Sequence, residues 1–223
     1  MSTLQKTRSL NNQGVELLIL GQSSAASTAF KGAIQLLGSE VAEDNGGGQN
    51  GENVLNDQIP ELALGQSQSA VPDLQAQCFF VYNQAITILE GTVLQCNDET
   101  ISLHSSVILF NWALVFHREG MLGNEKAIKK AWFLYARCLE VLSLSATAQS
   151  KQSSGYLALL ALNNQAQIHY ELCDYAESYN CMAQVADMIN RTPSLEYSTL
   201  TLRNAVKEIY LNTMLSPTAA HAA

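Results

Sequence analysis

The stretch "LNNQGVELLILG" (Leu10–Gly21) decides the reading of this chain, because "LNNQAQIHYELC" (Leu162–Cys173) nearly repeats it. Each copy runs Leu-Asn-Asn-Gln, a small residue, then a helical pattern. In the first copy Leu10, Gly14, Leu17 and Leu18 share one helical face. Beyond the break at Gly21, with Ser23 and Ser24 placed as an N-cap, Ala26, Phe30, Ala33 and Leu37 recur at steps of four, three and four. Two helices joined by a tight turn make an αα-hairpin.

The pattern returns in residues 105–143. Ser105 and Ser106 can cap a first helix through Glu119, "GMLGN" breaks it, and Ala127, Ala131, Tyr135, Cys138 and Leu142 form the next stripe. It returns again in 156–190: a first helix runs to Cys173, Asp174 caps the next, and Tyr175, Ser178, Met182, Val185 and Ile189 keep the spacing. Pro193 enforces a stop. Leu202, Ala205, Val206, Ile209 and Tyr210 then predict a solitary amphipathic helix around 195–214, with "SPTAAHAA" as a frayed tail.

Two polar stretches separate these units. Residues 39–76 are rich in Gly, Asn, Gln, Ser and acid, carry too little apolar surface to offset the entropy of ordering, and are expected to be disordered, with "IPELAL" transiently helical. A second linker, "SLSATAQSKQSSG", runs from Ser143 to Gly155. In residues 77–101, "CFFVYNQAITI" is aromatic and β-branched, which favours an extended segment ending near Gly91. Because "VYNQA" also echoes "LNNQG", a degenerate helix stays open there.

Apolar content of 47% with four prolines and 14% charged residues indicates a folded, soluble protein. No apolar core marks the N-terminus as a signal peptide, and the densest apolar run, Val107–Phe116, is interrupted by Asn111 and too short to cross a bilayer. These features lead to an intracellular expectation, cytoplasmic or nuclear, without membrane contact. Cys78, Cys96, Cys138, Cys173 and Cys181 are odd in number and form no CxxC pair, so buried reduced thiols are expected in place of disulfides or a zinc site. Between Gly32 and His117 there is no Lys or Arg against ten acidic residues, while all twelve basic residues and the other ten acids lie outside. That segregation describes a near-neutral body with an acidic insertion, and it provides no basic stripe for nucleic acid.

Hairpins that reuse one small-and-large pattern resemble the tetratricopeptide repeat (TPR) family, in which a small residue on the first helix lets the second approach closely. The first hairpin matches through Gly14, Gly21, Ala26, Phe30 and Ala33; the second offers Ala113, Phe116, Gly120, Ala131, Tyr135 and Cys138; the third offers Ala166, His169, Cys173, Tyr175, Ser178, Met182 and Val185. That family repeats about every 34 residues. Here the equivalent asparagines Asn12, Asn111 and Asn164 are 99 and 53 residues apart, the excess falling in the acidic loop with its following segment, a lengthened turn and the Ser-rich linker.

The resemblance implies an all-α fold of three irregular TPR-like antiparallel hairpins, stacked as a short right-handed solenoid with a C-terminal capping helix and a disordered acidic insertion. Its expected divisions are 1–38 for the N-terminal segment and hairpin one, 39–76 for the loop, and 77–104 for an extended or irregular connector. Hairpin two then takes 105–143, a linker 144–155, hairpin three 156–192, the capping helix 193–215 and the tail 216–223. The middle first helix, "VILFNWALVF" (Val107–Phe116), is apolar nearly all round, as a helix buried on both sides would be.

In such a stack the first helices line a concave groove. Asn12, Asn111 and Asn164 then form a ladder of side-chain amides that either grips a partner's extended backbone or bonds neighbouring helices. Asn11 and Asn163, one residue earlier, turn further into the groove. Together with His117, Gln167 and Tyr170 these five asparagines are the candidate partner-binding residues, with Arg8 and Arg118 at the rim. The expected role is a non-catalytic scaffold for a protein or peptide, needing no cofactor or metal.

TPR proteins that clamp acidic chaperone C-termini use two asparagines with several Lys and Arg. Asn111 matches one such asparagine, but the basic positions map to Asn11, Leu160 and Asn164, so chaperone tails are disfavoured. The acidic loop 39–76, tethered beside the groove, is a candidate occupant of it. A rival class is an enzyme or metal-binding protein using His169 and Cys173, which stand at i and i+4 on one helix. No phosphate-cradling loop, HExxH or GxSxG occurs.

Overall fold

A computed structural model describes residues 1–44, 62–64, 81–89, 98–144, 151–191 and 200–215. They are helical apart from one short strand pair and an extended segment. The helices are α1 (Thr3–Ile19), α2 (Ser23–Asp44), α3 (Asp98–Met121), α4 (Glu125–Leu144), α5 (Lys151–Glu171), α6 (Tyr175–Arg191) and α7 (Leu200–Leu215). Strands β1 (Leu62–Leu64) and β2 (Ile86–Ile88) pair antiparallel, Leu62 opposite Ile88 and Leu64 opposite Ile86. Each helix packs on the next in chain order from α1 to α7.

Three helix pairs share one turn. After α1 the N–H of Gln22 reaches the Leu17 carbonyl at 2.8 Å and that of Gly21 the Leu18 carbonyl at 3.2 Å. The same two bonds recur as Asn124 to Glu119 and Gly123 to Gly120, then as Asp174 to His169 and Cys173 to Tyr170. This is the Schellman arrangement, which satisfies the last carbonyls of a helix and places one residue in the left-handed region. Gly21 (φ 73°) and Gly123 (φ 94°) hold that place in two turns, and Cys173 (φ 60°) holds it in the third. A side chain is strained there, whereas glycine is not. Cys173→Gly is therefore expected to raise the stability by roughly 0.5–1 kcal/mol, read from the urea midpoint. A lower midpoint would show that the thiol makes a compensating contact.

A glycine on each of α1 and α3 sets the distance to the partner helix. A Cβ added at Gly14 would lie 2.6 Å from the Phe30 ring, and one at Gly120 would lie 3.0 Å from the backbone Cα of Ile128. The second-helix stripes are buried at Ala26, Phe30 and Ala33, at Ala131, Tyr135 and Cys138, and at Ser178, Met182 and Val185, but Tyr175, expected to open the third stripe, is exposed and Ile189 is half-buried. Helix α3 is central, touching α1, α2, α4, α5 and β2, and Phe110 stacks between Tyr82 at 6.1 Å and Tyr135 at 5.6 Å. Trp112 Nε1 ties it to α2 by donating to Ser27 Oγ at 2.8 Å.

Several boundaries differ from the sequence expectation. Helix α2 continues to Asp44, and α3 starts at Asp98, so Ser105 and Ser106 lie inside a helix and not at its cap. Asp98 and Glu99 occupy its first turn, where acidic side chains favour the helix dipole. Helix α5 begins at Lys151, inside the expected linker, and α7 begins at Leu200. The expected loop 39–76 contributes the end of α2 and all of β1; its other residues, like the rest of the 144–155 linker and the 216–223 tail, lie outside the described ones.

Two further expectations are corrected. Helix α3, at 24 residues, is long and apolar enough to cross a membrane, so shortness is no argument; 67% of its apolar window is nevertheless buried inside the protein, as befits a core helix. Cys138 and Cys181 are buried thiols, but Cys173 is exposed because the turn turns it outward. Cys78 and Cys96 lie outside the described residues.

Candidate functional site

The asparagines at the repeated position do one thing three times. Asn164 on α5 accepts from the Tyr82 N–H at 2.9 Å and donates to the Tyr82 carbonyl at 2.8 Å. Asn111 on α3 accepts from the Ile86 N–H and donates to the Ile86 carbonyl, both at 2.8 Å. Asn12 on α1 accepts from the Ile88 N–H and donates to the Ile88 carbonyl, both at 2.9 Å. Each amide thus closes a two-bond ring on the backbone of a single residue. The row α5, α3, α1 is traversed by one extended segment, residues 81–89, running from Tyr82 to Ile88.

This geometry follows from strand periodicity. The N–H and C=O of one extended residue point the same way, and those of its neighbour point oppositely. Tyr82, Ile86 and Ile88 share a parity and face the amides, while Thr87 faces away and stands opposite Ala63 of β1. The side chains of the three gripped residues bury too: Tyr82 is 1% exposed, Ile86 0% and Ile88 1%, while Gln84 between them is half-buried. Ala85 is also buried, while Asn83 and Leu89 are exposed.

The adjacent asparagines orient this row. Asn11 donates from Nδ2 to Asn12 Oδ1 at 3.1 Å and to the Ile86 carbonyl at 3.1 Å, and its Oδ1 accepts from Asn111 Nδ2 at 2.9 Å. Asn163 donates to Asn164 Oδ1 at 3.2 Å and accepts from Asn212 Nδ2 of α7 at 2.7 Å. Asn11 and Asn163 are fully buried, so they stand beside and behind the row instead of turning further into a groove. Helix α7 packs on α6 and supplies this last polar partner, Asn212.

A second polar chain runs behind the row. Asn164 Nδ2 donates to Tyr135 Oη at 3.0 Å, Tyr135 Oη meets His117 Nδ1 at 3.3 Å, and His117 Nε2 meets Gln167 Oε1 at 2.7 Å. Gln167 Nε2 donates onward to Glu171 Oε1 at 2.9 Å. One assignment satisfies every link: Tyr135 O–H donates to His117 Nδ1, and neutral His117 donates from Nε2. Burial disfavours charge on His117 and lowers its pKa to about 4, against the Gln167 bond, which raises it. Burial likewise pushes the Tyr135 phenol well above its ordinary value. His117 and Gln167, expected at the groove, are instead buried supports for Asn164.

The remaining candidates fall elsewhere. Tyr170 stacks edge-on to Tyr175 at 5.4 Å, beside the third turn and apart from the amide row. Arg118, read from the sequence as a rim residue, spans two elements: Nη1 donates to the Leu18 carbonyl at 3.3 Å and Nη2 to the Asn83 carbonyl at 2.6 Å. His169 and Cys173 form no paired centre. His169 Nε2 accepts from Trp132 Nε1 at 3.0 Å and Nδ1 donates to Asp174 Oδ2 at 3.0 Å, so both ring nitrogens are engaged. Among the described residues no group of three His, Cys, Asp or Glu side chains is placed to hold a metal ion.

Sequence reasoning reached the row but not its occupant. Tyr82, Ile86 and Ile88 alternate within "VYNQAITI", and that period of two was the available signal. The segment that lies along the amides is 81–89 and not the acidic loop, whose β1 pairs on the outer edge of β2. Comparison with family models, with curated proteins and with solved structures finds no match to this chain.

Proposed function

We propose that this chain is a non-catalytic protein-interaction module of TPR-like build, a short right-handed stack of three hairpins, that holds an extended polypeptide backbone along its first helices. One observation carries the reading: three asparagines from three equivalent helix positions each make a paired bond to one extended segment. A buried amide that served only to join helices would be satisfied by a neighbouring helix. These are satisfied by main chain in strand form, the mode by which extended peptides are recognised. The partner class is protein or peptide, in a cytoplasmic or nuclear setting, with neither nucleic acid nor membrane nor an acidic chaperone tail required. The row presents amides and one guanidinium instead of a cluster of cations.

The enzyme or metal-binding reading has little to stand on, since both nitrogens of His169 are engaged and the backbone of Cys173 forms a turn. Affinity capture with the native chain, with Asn12→Ala and with Asn164→Ala tests the proposal. The same partner should be retained by the native chain and weakened at least about tenfold by each variant, the equivalent of losing one paired bond. A partner held equally by all three would end the groove assignment.

A further inference from the structure

Seven of the bonds that hold residues 81–89 come from side-chain amides and one from Arg118, and all eight reach main-chain atoms. Main-chain atoms are the same at every residue except proline. The grip therefore says nothing about which sequence is held, and selection falls to the side chains that bury. Those are an aromatic ring at Tyr82, packed on Phe110 at 6.1 Å, and β-branched chains four and six residues later at Ile86 and Ile88. Small Ala85 is buried on the other face, while exposed Asn83 and Leu89 leave their positions open.

We infer that residues 81–89 are a resident stand-in for the partner, and that the partner presents an extended segment of the same chemistry: an aromatic residue, a β-branched aliphatic four residues on, another two further, and no proline at those three positions. The inference rests on the proposed interaction role and specifies its ligand. The partner segment replaces the resident one strand for strand, so each amide exchanges one N–H and C=O pair for an identical pair. Because the hydrogen bonds are conserved, the exchange is governed by the side chains and by the tether. A short tether holds its segment at an effective concentration on the order of millimolar, so the intact chain binds an incoming peptide far more weakly than the bare row would.

The probe is a synthetic peptide of residues 81–89 with lysines added for solubility, and its control has serine at the positions of Tyr82, Ile86 and Ile88. Hydrogen exchange on the intact, unsubstituted chain at about 1 mM peptide should show the Tyr82, Ile86 and Ile88 amides exchanging at least about tenfold faster, with α3 and α5 unchanged. In full-length Ile86→Pro, which removes a donor from the resident segment and leaves every asparagine in place, the labelled peptide should bind at least about tenfold more tightly than in the native chain. Should that variant fail to fold, the exchange measurement decides alone. Equal behaviour of peptide and control, or resident amides that stay protected, overturns the inference. So does a dimer by light scattering in which copies trade residues 81–89, since the occupant would then be a second copy. Capture that depends on Asn12 and Asn164 while the peptide has no effect would overturn this inference and leave the interaction role standing.

Discussion

Asn111→Ala is expected to lower the unfolding free energy by roughly 2–5 kcal/mol, a large share of the stability of a domain this size. The alanine removes three bonds at once, two to Ile86 and one to Asn11. The Ile86 carbonyl keeps Asn11 Nδ2, but the Ile86 N–H and Asn11 Oδ1 each lose the partner described above, in a place with 0% exposure. A buried polar group left without a partner costs about 1–3 kcal/mol, far more than the net gain from a typical bond. Asn12→Ala breaks the equivalent pair at Ile88, but at a part-buried position where water can replace it, so its cost should be nearer 1 kcal/mol. Urea unfolding of both variants checks the order. Equal losses, or a loss below about 1 kcal/mol at Asn111, would mean that the central bonds hold little.

Acid should weaken the fold through two histidines of α3. Burial is the main cause that lowers the pKa of both His104 and His117 to about 4, and the positive charge of Arg8 adds to it at His104. Both native pKa values lie below the ordinary value near 6.5, so the native state binds fewer protons than the unfolded chain between them. Stability from these residues is thus fully present above about pH 6.5 and is lost as the pH falls towards about 4, with no further loss below. Each site contributes up to about 3 kcal/mol over that window.

The two sites differ in what protonation does. His117 must donate from both nitrogens once charged, which conflicts with accepting from Tyr135 and disturbs the chain that ends at Asn164. His104 has no hydrogen-bond partner on either nitrogen among the described residues. His104→Phe keeps an aromatic ring there without the polar atoms, so it should stabilise the protein and remove about half of the pH dependence. Urea midpoints at about pH 7, 5.5 and 4.5 for the native chain and the variant measure this. An identical pH slope in both would exclude His104 from the effect.

Much of the fold was legible because its cues are local. Phe30 with Ala26 and Ala33, and Met182 with Ser178 and Val185, announce helix faces at a spacing of three and four, and these side chains are buried. Gly21 and Gly123 announce left-handed turns. The third break was also legible, with a helix ending at Cys173 and Asp174 capping the next, but without a glycine its left-handed residue was not, and only the φ of 60° at Cys173 reveals it. The start of α3 was misplaced for a similar reason: Ser105 and Ser106 have the composition of a cap, yet Leu103 and Val107 continue the buried face through them.

The candidate site divides along the same line. The sequence by itself determined that Asn12, Asn111 and Asn164 are equivalent, since each precedes a small residue by two in a helical pattern. It favoured an extended backbone for the aromatic and β-branched run ending near Gly91, with a degenerate helix left open. Only the tertiary structure decided that these two facts meet, that Asn11 joins the grip at Ile86, and that His117, Gln167 and Asn163 support the row from behind. The physical reason lies in the bonds themselves. An amide that pairs with an N–H and C=O recognises atoms that every residue except proline carries, at sequence separations of 25 to 82 residues. Helical periodicity is written in the identity of neighbouring residues, but a grip on backbone leaves no mark on the residue it holds.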